Sequence, residues 1–496
     1  MSTSTRPELG RAADGISSPS TAQRGLEVQR APNTSQGLLD PPDEAVQTIS
    51  QVAVSQLEQN DIAHDLELDL PIRRLPVELL IAIFTDAIVT SDFFGLIRRA
   101  GRPFAIACTC RQWRDIVLHK PDLWSMIDYE IKELSTLEDE ERVSRSLRLH
   151  IERSSRLPLD VCIDLRSKPS SLNGQFWSTL STLFRRARVF QFTTTVNVHS
   201  TLTSQVLSQH APYLSRLAFS EGDYRFAGKQ VLELSLDAPC LRPIECEGAP
   251  VQLFSGPYPS VRSARLHSDL LPSIFFNLFK WLPNLVDLDI YWYDGPTRSH
   301  ATLELEYLET LIIGGRNSFF YLDLARLFSF PSLHKASIKF GFDNQPNTID
   351  PRAVTAFIRS ALHTVRSLEL DLDAGPYCDV SSADVSSAIV DGLKSCTHLE
   401  HLTLHVYAGD AAFAALSTPH ADGAWLCPRL RSVSAYIGRS TLDSDIFIKE
   451  TVSLAAARRA TGLTKMEIIL KEYSANYGRL LRWQDRLNGI LLSPEL

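Results

Sequence analysis

The sequence predicts an α/β chain in which a short helical module precedes a solenoid of stacked repeats. The strands of the solenoid would form one parallel sheet on its concave side, with helices outside. Three observations predict it. One apolar pattern recurs at irregular steps over most of the chain. Helix-forming stretches fill the longer steps. Ahead of them, residues 75–124 carry a different apolar pattern, one with helical spacing.

The recurring pattern is an apolar residue, two others, an apolar residue, one other, an apolar residue. It occurs at Leu214/Leu217/Phe219, Leu241/Ile244/Cys246, Val261/Ala264/Leu266, Leu285/Leu288/Ile290 and Leu308/Leu311/Ile313. It continues at Leu333/Ala336/Ile338, Val365/Leu368/Leu370, Leu399/Leu402/Leu404, Leu430/Val433/Ala435 and Leu463/Met466/Ile468, with an earlier copy at Ala187/Phe190/Phe192. Steps between copies run from 20 to 34 residues. A Pro-x-Leu or Pro-x-Val often leads in, as at Pro212, Pro259, Pro283, Pro331 and Pro428. The period-2 part of each copy suits one short strand whose apolar residues point inward. Repeats of this length and pattern resemble leucine-rich repeats. The resemblance implies a coil in which each turn shares its core with its neighbours. The same spacing also fits unrelated strands of an α/β domain.

Between strands the chain would return along the outside. Asp350-Pro351 reads as an N-cap followed by proline in the first turn, and Val354, Phe357, Ile358, Ala361 and Leu362 make an inner stripe. Val385, Ile389 and Leu393 repeat that stripe. Leu157–Leu165 alternates apolar and polar residues and reads as a strand opening the solenoid, expected over 157–470. Residues 128–156 read as a linker helix, and 471–496, with Leu480, Leu481, Trp483, Leu487 and Ile490, as a C-terminal cap or tail. Gly314-Gly315 ends a strand and reads as a turn.

Residues beside the triplet leucines would face outward from the concave sheet. Asp287, Asp289, Tyr291, Glu369, Asp371, His401, His405 and Tyr436 are the candidate substrate-binding set, with Arg265, His267, Lys335 and Lys339 among their neighbours. Mixed charge with aromatic residues suits a protein-binding surface. A merely solvated face is the competing reading for any one of them.

Residues 71–127 form the expected helical module. Pro76 suits a first helical turn, Glu78 suits the positive end of the helix dipole, and Leu79–Phe84 is an unbroken apolar run. A one-sided surface helix would not read that way. Either the helix is buried, or one face packs at home and another awaits a partner. Ile106, Cys110, Trp113 and Val117 fit a second helix packed on the first. Leu75-Pro76, Glu78-Leu79-Leu80, Ile83-Phe84, Cys110-Arg111, Trp113-Arg114 and Leu123-Trp124 together resemble an F-box, and the run on to Leu165 is similar to F-box proteins of mushroom-forming fungi. In that family the module docks on the Skp adaptor and, through it, on the cullin and RING subunits of an SCF-type ubiquitin ligase. The resemblance assigns adaptor binding to Leu75, Pro76, Leu79, Leu80, Ile83, Phe84, Trp113, Leu123 and Trp124. The interval from Phe84 to Cys110 is longer than the family's, as if a loop around 91–102 were inserted. An ordinary helical hairpin capping the next domain would share much of the pattern.

Residues 1–70 carry four Arg, no Lys and eleven acidic residues, with no aromatics. Such a composition predicts a disordered acidic tail, with at most a transient helix over Ala45–Leu57. The chain as a whole has a formal net charge of −8 and no basic stripe, which argues against nucleic acid. No apolar run approaches bilayer length, and no secretory leader is evident at Met1. Eight scattered cysteines suit a reducing compartment, cytoplasm and/or nucleus, with Cys108 and Cys110 expected as core thiols. No phosphate loop, dinucleotide fingerprint, nucleophile elbow or zinc motif occurs. The expectation is therefore no catalytic residue, no metal and no cofactor. It is a substrate receptor of an SCF-type ligase, or alternatively a leucine-rich-repeat interaction protein with no role in ubiquitination.

Overall fold

The computed structural model describes residues 75–89, 102–131, 136–166, 174–194, 200–221, 232–248, 251–254, 256–270, 279–293, 302–315, 318–340, 350–372, 382–406, 410–419, 423–437, 445–459, 461–470, 484–485 and 487–491. The expected tail over 1–70, the insertion around 91–102 (except Arg102) and the capping positions Leu480, Leu481 and Trp483 lie outside them.

The chain is α/β, and a parallel sheet of 13 strands dominates it. The strands are β1 (Met126–Ile131), β2 (Leu159–Leu165), β3 (Ala187–Thr194), β4 (Arg216–Glu221), β6 (Pro243–Glu247), β8 (Ser263–Leu270) and β9 (Asp287–Tyr293). They continue as β11 (Thr310–Gly315), β13 (Lys335–Phe340), β14 (Ser367–Leu372), β15 (His401–Val406), β16 (Ser432–Ile437) and β17 (Lys465–Leu470). They follow one another across the sheet in chain order. Two small parallel pairs stand apart: β5 (Leu232–Ser235) with β7 (Val251–Phe254), and β10 (Leu303–Glu304) with β12 (Phe328–Ser329).

The register explains why these residues make this sheet. Ile127, Val161, Phe190, Leu217, Ile244, Ala264 and Leu288 stack in one row, which continues through Leu311, Ala336, Leu368, Leu402, Val433 and Met466. Every member of that row is buried. A parallel row two residues on, from Ile163 through Phe192 and Cys246 to Ile290, Ile313 and Leu370, is buried as well. One slip of register would turn either row outward, so the apolar alternation fixes the pairing.

Helices fill the inner side. They include α4 (Leu137–Arg153), α5 (Gly174–Arg186), α6 (Ser200–Leu207), α7 (Ser318–Leu327), α8 (Pro351–Ala361), α9 (Ser382–Leu393), α10 (Asp410–Ser417) and α11 (Asp445–Arg459). Asp350 caps α8 as expected, its carboxylate accepting from the Arg352 amide at 2.9 Å. Val354, Phe357, Ile358, Ala361 and Leu362 are buried beneath it, as are Ile389 and Leu393 of α9 and Leu487 of the C-terminal segment. Two arginines tie separate segments together by donating to backbone carbonyls. Arg186 reaches Ile151 O at 2.7 Å and Leu157 O at 2.8 Å. Arg458 is fully buried, donates to the carbonyls of Leu416, Leu426 and Cys427, and lies 4.6 Å from the Trp425 ring centroid. Burial lowers its pKa.

Two expectations are corrected here. The span 128–156 is not a linker helix throughout: Met126–Ile131 is the first strand of the sheet, and only Leu137–Arg153 is helical. Thr136 and Asp139 form a capping box that starts this helix, while Ile127 and Ile131 are drawn into the core beside Val161 and Leu165. Gly314 and Gly315 are not a turn; they lie in β11, paired with Lys339 and Phe340.

Ahead of the sheet stand α1 (Val77–Val89), α2 (Arg102–Thr109), α3 (Arg111–Leu118) and a 3-10 turn, Pro121–Trp124. Pro76 immediately precedes α1, and its carbonyl accepts from the amides of Leu79 and Leu80. Trp124 joins module to sheet: its Nε1 donates to Val117 O at 2.9 Å, and its ring meets Phe104 and His150 edge-on. Among the described residues no helix is long and apolar enough to cross a membrane.

Candidate functional site

Two surfaces gather the candidate residues. The first is on α1. Leu80, Phe84 and Ile88, each four residues from the next, are buried, and the Phe84 ring meets Trp113 at 4.9 Å. Leu79 and Ile83, one turn apart on another side of the helix, are 51% and 45% exposed, and Val77, in the first turn, is 44% exposed. Of the two alternatives left by the apolar run, the helix takes the second: one face packs at home and another stands open. The nine residues assigned to an adaptor therefore divide. Leu80, Phe84, Leu123 and Trp124 are interior and half-buried Trp113 packs against Phe84, so these five help hold the module together. Pro76, Leu79 and Ile83 face solvent, with Leu75 just ahead in the chain. Cys108 is exposed and Cys110 half-buried, so neither is a core thiol.

The second surface is the outward face of the sheet, where register sets three polar rows. Asp287 and His401 lie in the first row and are exposed. Asp289 and Glu369 lie in the second and are half-buried. Tyr291, Asp371, His405 and Tyr436 lie in the third. Asp371 is buried, Tyr291 and Tyr436 are half-buried, and the His405 side chain is outside the described atoms. The sheet thus places the other seven on one face, but β11 and β13 separate the Asp287 group from the Glu369 group.

The centre of this face is a linked cluster on β8, β9, β11 and β13. Arg265 Nε donates to Asp289 Oδ2 at 3.1 Å, and His267 Nε2 lies 3.1 Å from Asp289 Oδ1. His267 meets the Tyr291 ring edge-on, with centroids 4.1 Å apart. Tyr291 leans from β9 across β11 toward Lys339, whose ammonium is 5.8 Å from the ring centroid. Gly314 makes that crossing possible. A Cβ there would stand 2.2 Å from Tyr291 Cδ1. Burial raises the Tyr291 pKa, while its hydrogen bond to Lys339 acts in the opposite sense. For Lys339, burial lowers the pKa; Tyr291, Glu369 and Asp289 outweigh it, and the net direction is upward.

Gly314 and Ser337 were not singled out as site residues from sequence. Ser337 sits beside Ile312 and Glu369 in the second row, is only 2% exposed, and its Oγ has no hydrogen-bond partner among the described residues. Among those residues no group of three or more His, Cys, Asp or Glu side chains is placed to hold a metal. The cluster offers charge, hydrogen bonds and an aromatic surface. No protein-family model matches the chain, and no curated protein matches it in sequence.

Proposed function

We propose that the chain is the substrate-recognition subunit of an SCF-type ubiquitin ligase. It binds the Skp adaptor through the open side of α1 and holds a protein target on the outward face of the sheet. It performs no bond chemistry itself; it raises the local concentration of target beside the ubiquitin-conjugating machinery. On this reading the parallel sheet is an irregular leucine-rich-repeat solenoid with the polar rows on its concave side, working in the cytoplasm and/or nucleus. The strict chain order of the strands and the coincidence of all eleven sequence triplets with strands support the solenoid.

The observation that carries the reading is the exposure of Leu79 and Ile83, one helical turn apart, on a helix whose other side is packed. Apolar side chains clustered on one surface and left in water mark an interaction site. The test is a titration of the purified full chain with Skp adaptor. Leu79→Ala with Ile83→Ala should weaken binding by about 2–4 kcal/mol in total, with an unchanged thermal melt. Equal affinity of wild type and variant would remove the adaptor from the reading. What remained would be the alternative, a repeat protein that binds a target without ubiquitination.

A further inference from the structure

We infer that the target bound on the outward face is an extended, lysine- or arginine-rich segment of a partner protein, lying across β6 to β14. The inference deepens the reading of that face as the target-holding surface and does not depend on the adaptor. In the three outward rows of these six strands the acidic residues are Glu245, Glu247, Asp287, Asp289, Glu369 and Asp371, against the basic Arg265, Lys335 and Lys339. Arg216 of β4 pairs with Glu245 and Arg265 with Asp289, and Lys339 is already engaged by Tyr291, Glu369 and Asp289, so the surplus of negative charge rests on Glu247, Asp287, Glu369 and Asp371. A cationic segment meets complementary charge there. A second copy of this chain would bring the same acidic face, and residues 1–70, with eleven acidic and four basic residues, would also be repelled.

One feature besides charge points to a docked chain. Tyr291, braced over Gly314 and against His267, is a rigid aromatic side chain of the kind that anchors interfaces.

The acidic strands also set a spacing. From β6 to β9 is two strand steps and from β9 to β14 three, about 10 Å and about 14 Å. An extended segment advances about 3.3 Å per residue, so its basic residues fall about three and then about four positions apart.

The test uses the full chain and fluorescently labelled synthetic peptides: one with lysines at that spacing, one with the same lysines adjacent, and one with glutamates in their place. The spaced peptide should bind best, and added salt should weaken it. Asp287→Asn with Glu369→Gln should lower its affinity at least tenfold, and Gly314→Val, which displaces Tyr291, should also lower it. Glu138→Gln with Glu141→Gln, which removes the same charge from the exposed side of α4, should leave it unchanged. If the two double variants lose affinity equally, or the glutamate peptide binds as well, the inference is overturned. Asp287→Asn alone, at an exposed position, guards against loss of fold. A parallel adaptor titration separates the two readings, because peptide binding without adaptor binding removes only the adaptor, and the reverse removes only this inference.

Discussion

The helical module and the sheet treat apolar side chains in opposite ways. The sheet turns every residue of its inner apolar row away from solvent and fills the outward rows mainly with polar ones, so its apolar requirement is met from within. The module buries Leu80, Phe84 and Ile88 yet leaves Val77, Leu79 and Ile83 open on the same helix. Complete burial makes a scaffold whose surface discriminates by charge and hydrogen bonding. Incomplete burial makes a surface whose affinity would come from excluding water. If one chain grips two partners, these two regions would grip them by different physics, and salt would weaken one attachment far more than the other.

Substitutions can break that contrast or sharpen it. The largest effect is expected for Leu288→Asp or Leu402→Asp, which place a carboxylate in the inner row between buried apolar neighbours. A charge buried without a partner costs at least ~5 kcal/mol, and circular-dichroism melts should show loss of the cooperative transition. Next comes Leu80→Ala on the packed side of α1, expected to cost about 2–4 kcal/mol. Leu79→Ala, one residue away, should shift a melt hardly at all. Equal shifts for the two would erase the division of α1 into an inner and an open side. A smaller effect is expected for Gly314→Ala. The new methyl group evicts the Tyr291 ring, at about 1–2 kcal/mol for an overpacked site that can partly yield. Tyrosine fluorescence should report the ring's new surroundings. The smallest effects are expected for Asp287→Ala and His401→Ala, within about 0.5 kcal/mol as for ordinary surface sites. Destabilisation there comparable to Leu288→Asp would mean that the strands do not alternate as described.

The sheet was legible in the sequence because each strand carries its own signal. The leucine triplets mark position and facing together, so Leu288 inward and Asp287 outward follow from period two alone. Met126–Ile131 was missed because the helical signal of Glu138–Glu141 and of Val143, Leu147 and Ile151 was extended back to 128; only pairing with β2 reveals the strand. The short pairs β5–β7 and β10–β12 have too few residues to register as a pattern. In the site, Tyr291 was visible as an outward aromatic, but its neighbours were not. His267, Gly314 and Lys339 come from three different strands, and which residue stands beside which is set by register. Gly314 misled for the same reason: a glycine pair suggests a turn until the residue opposite is known to be a tyrosine. On α1 the apolar run foretold a second face, while which side chains would occupy it depended on Trp113 and Trp124 packing from elsewhere.

The chain order of the strands has a consequence for how the molecule is made. Each strand pairs with strands the chain has just completed or is about to complete, so none waits for a distant segment. During synthesis the sheet can lengthen as residues leave the ribosome, with each new strand templated by the one before it. Arg458 arrives near the end of that process, after Leu416, Leu426 and Cys427 are in place to receive it. Until then, that end of the growing sheet lacks its latch. A ribosome stalled just short of Arg458 would therefore leave a nascent chain whose finished strands resist proteolysis while its newest segment is cut.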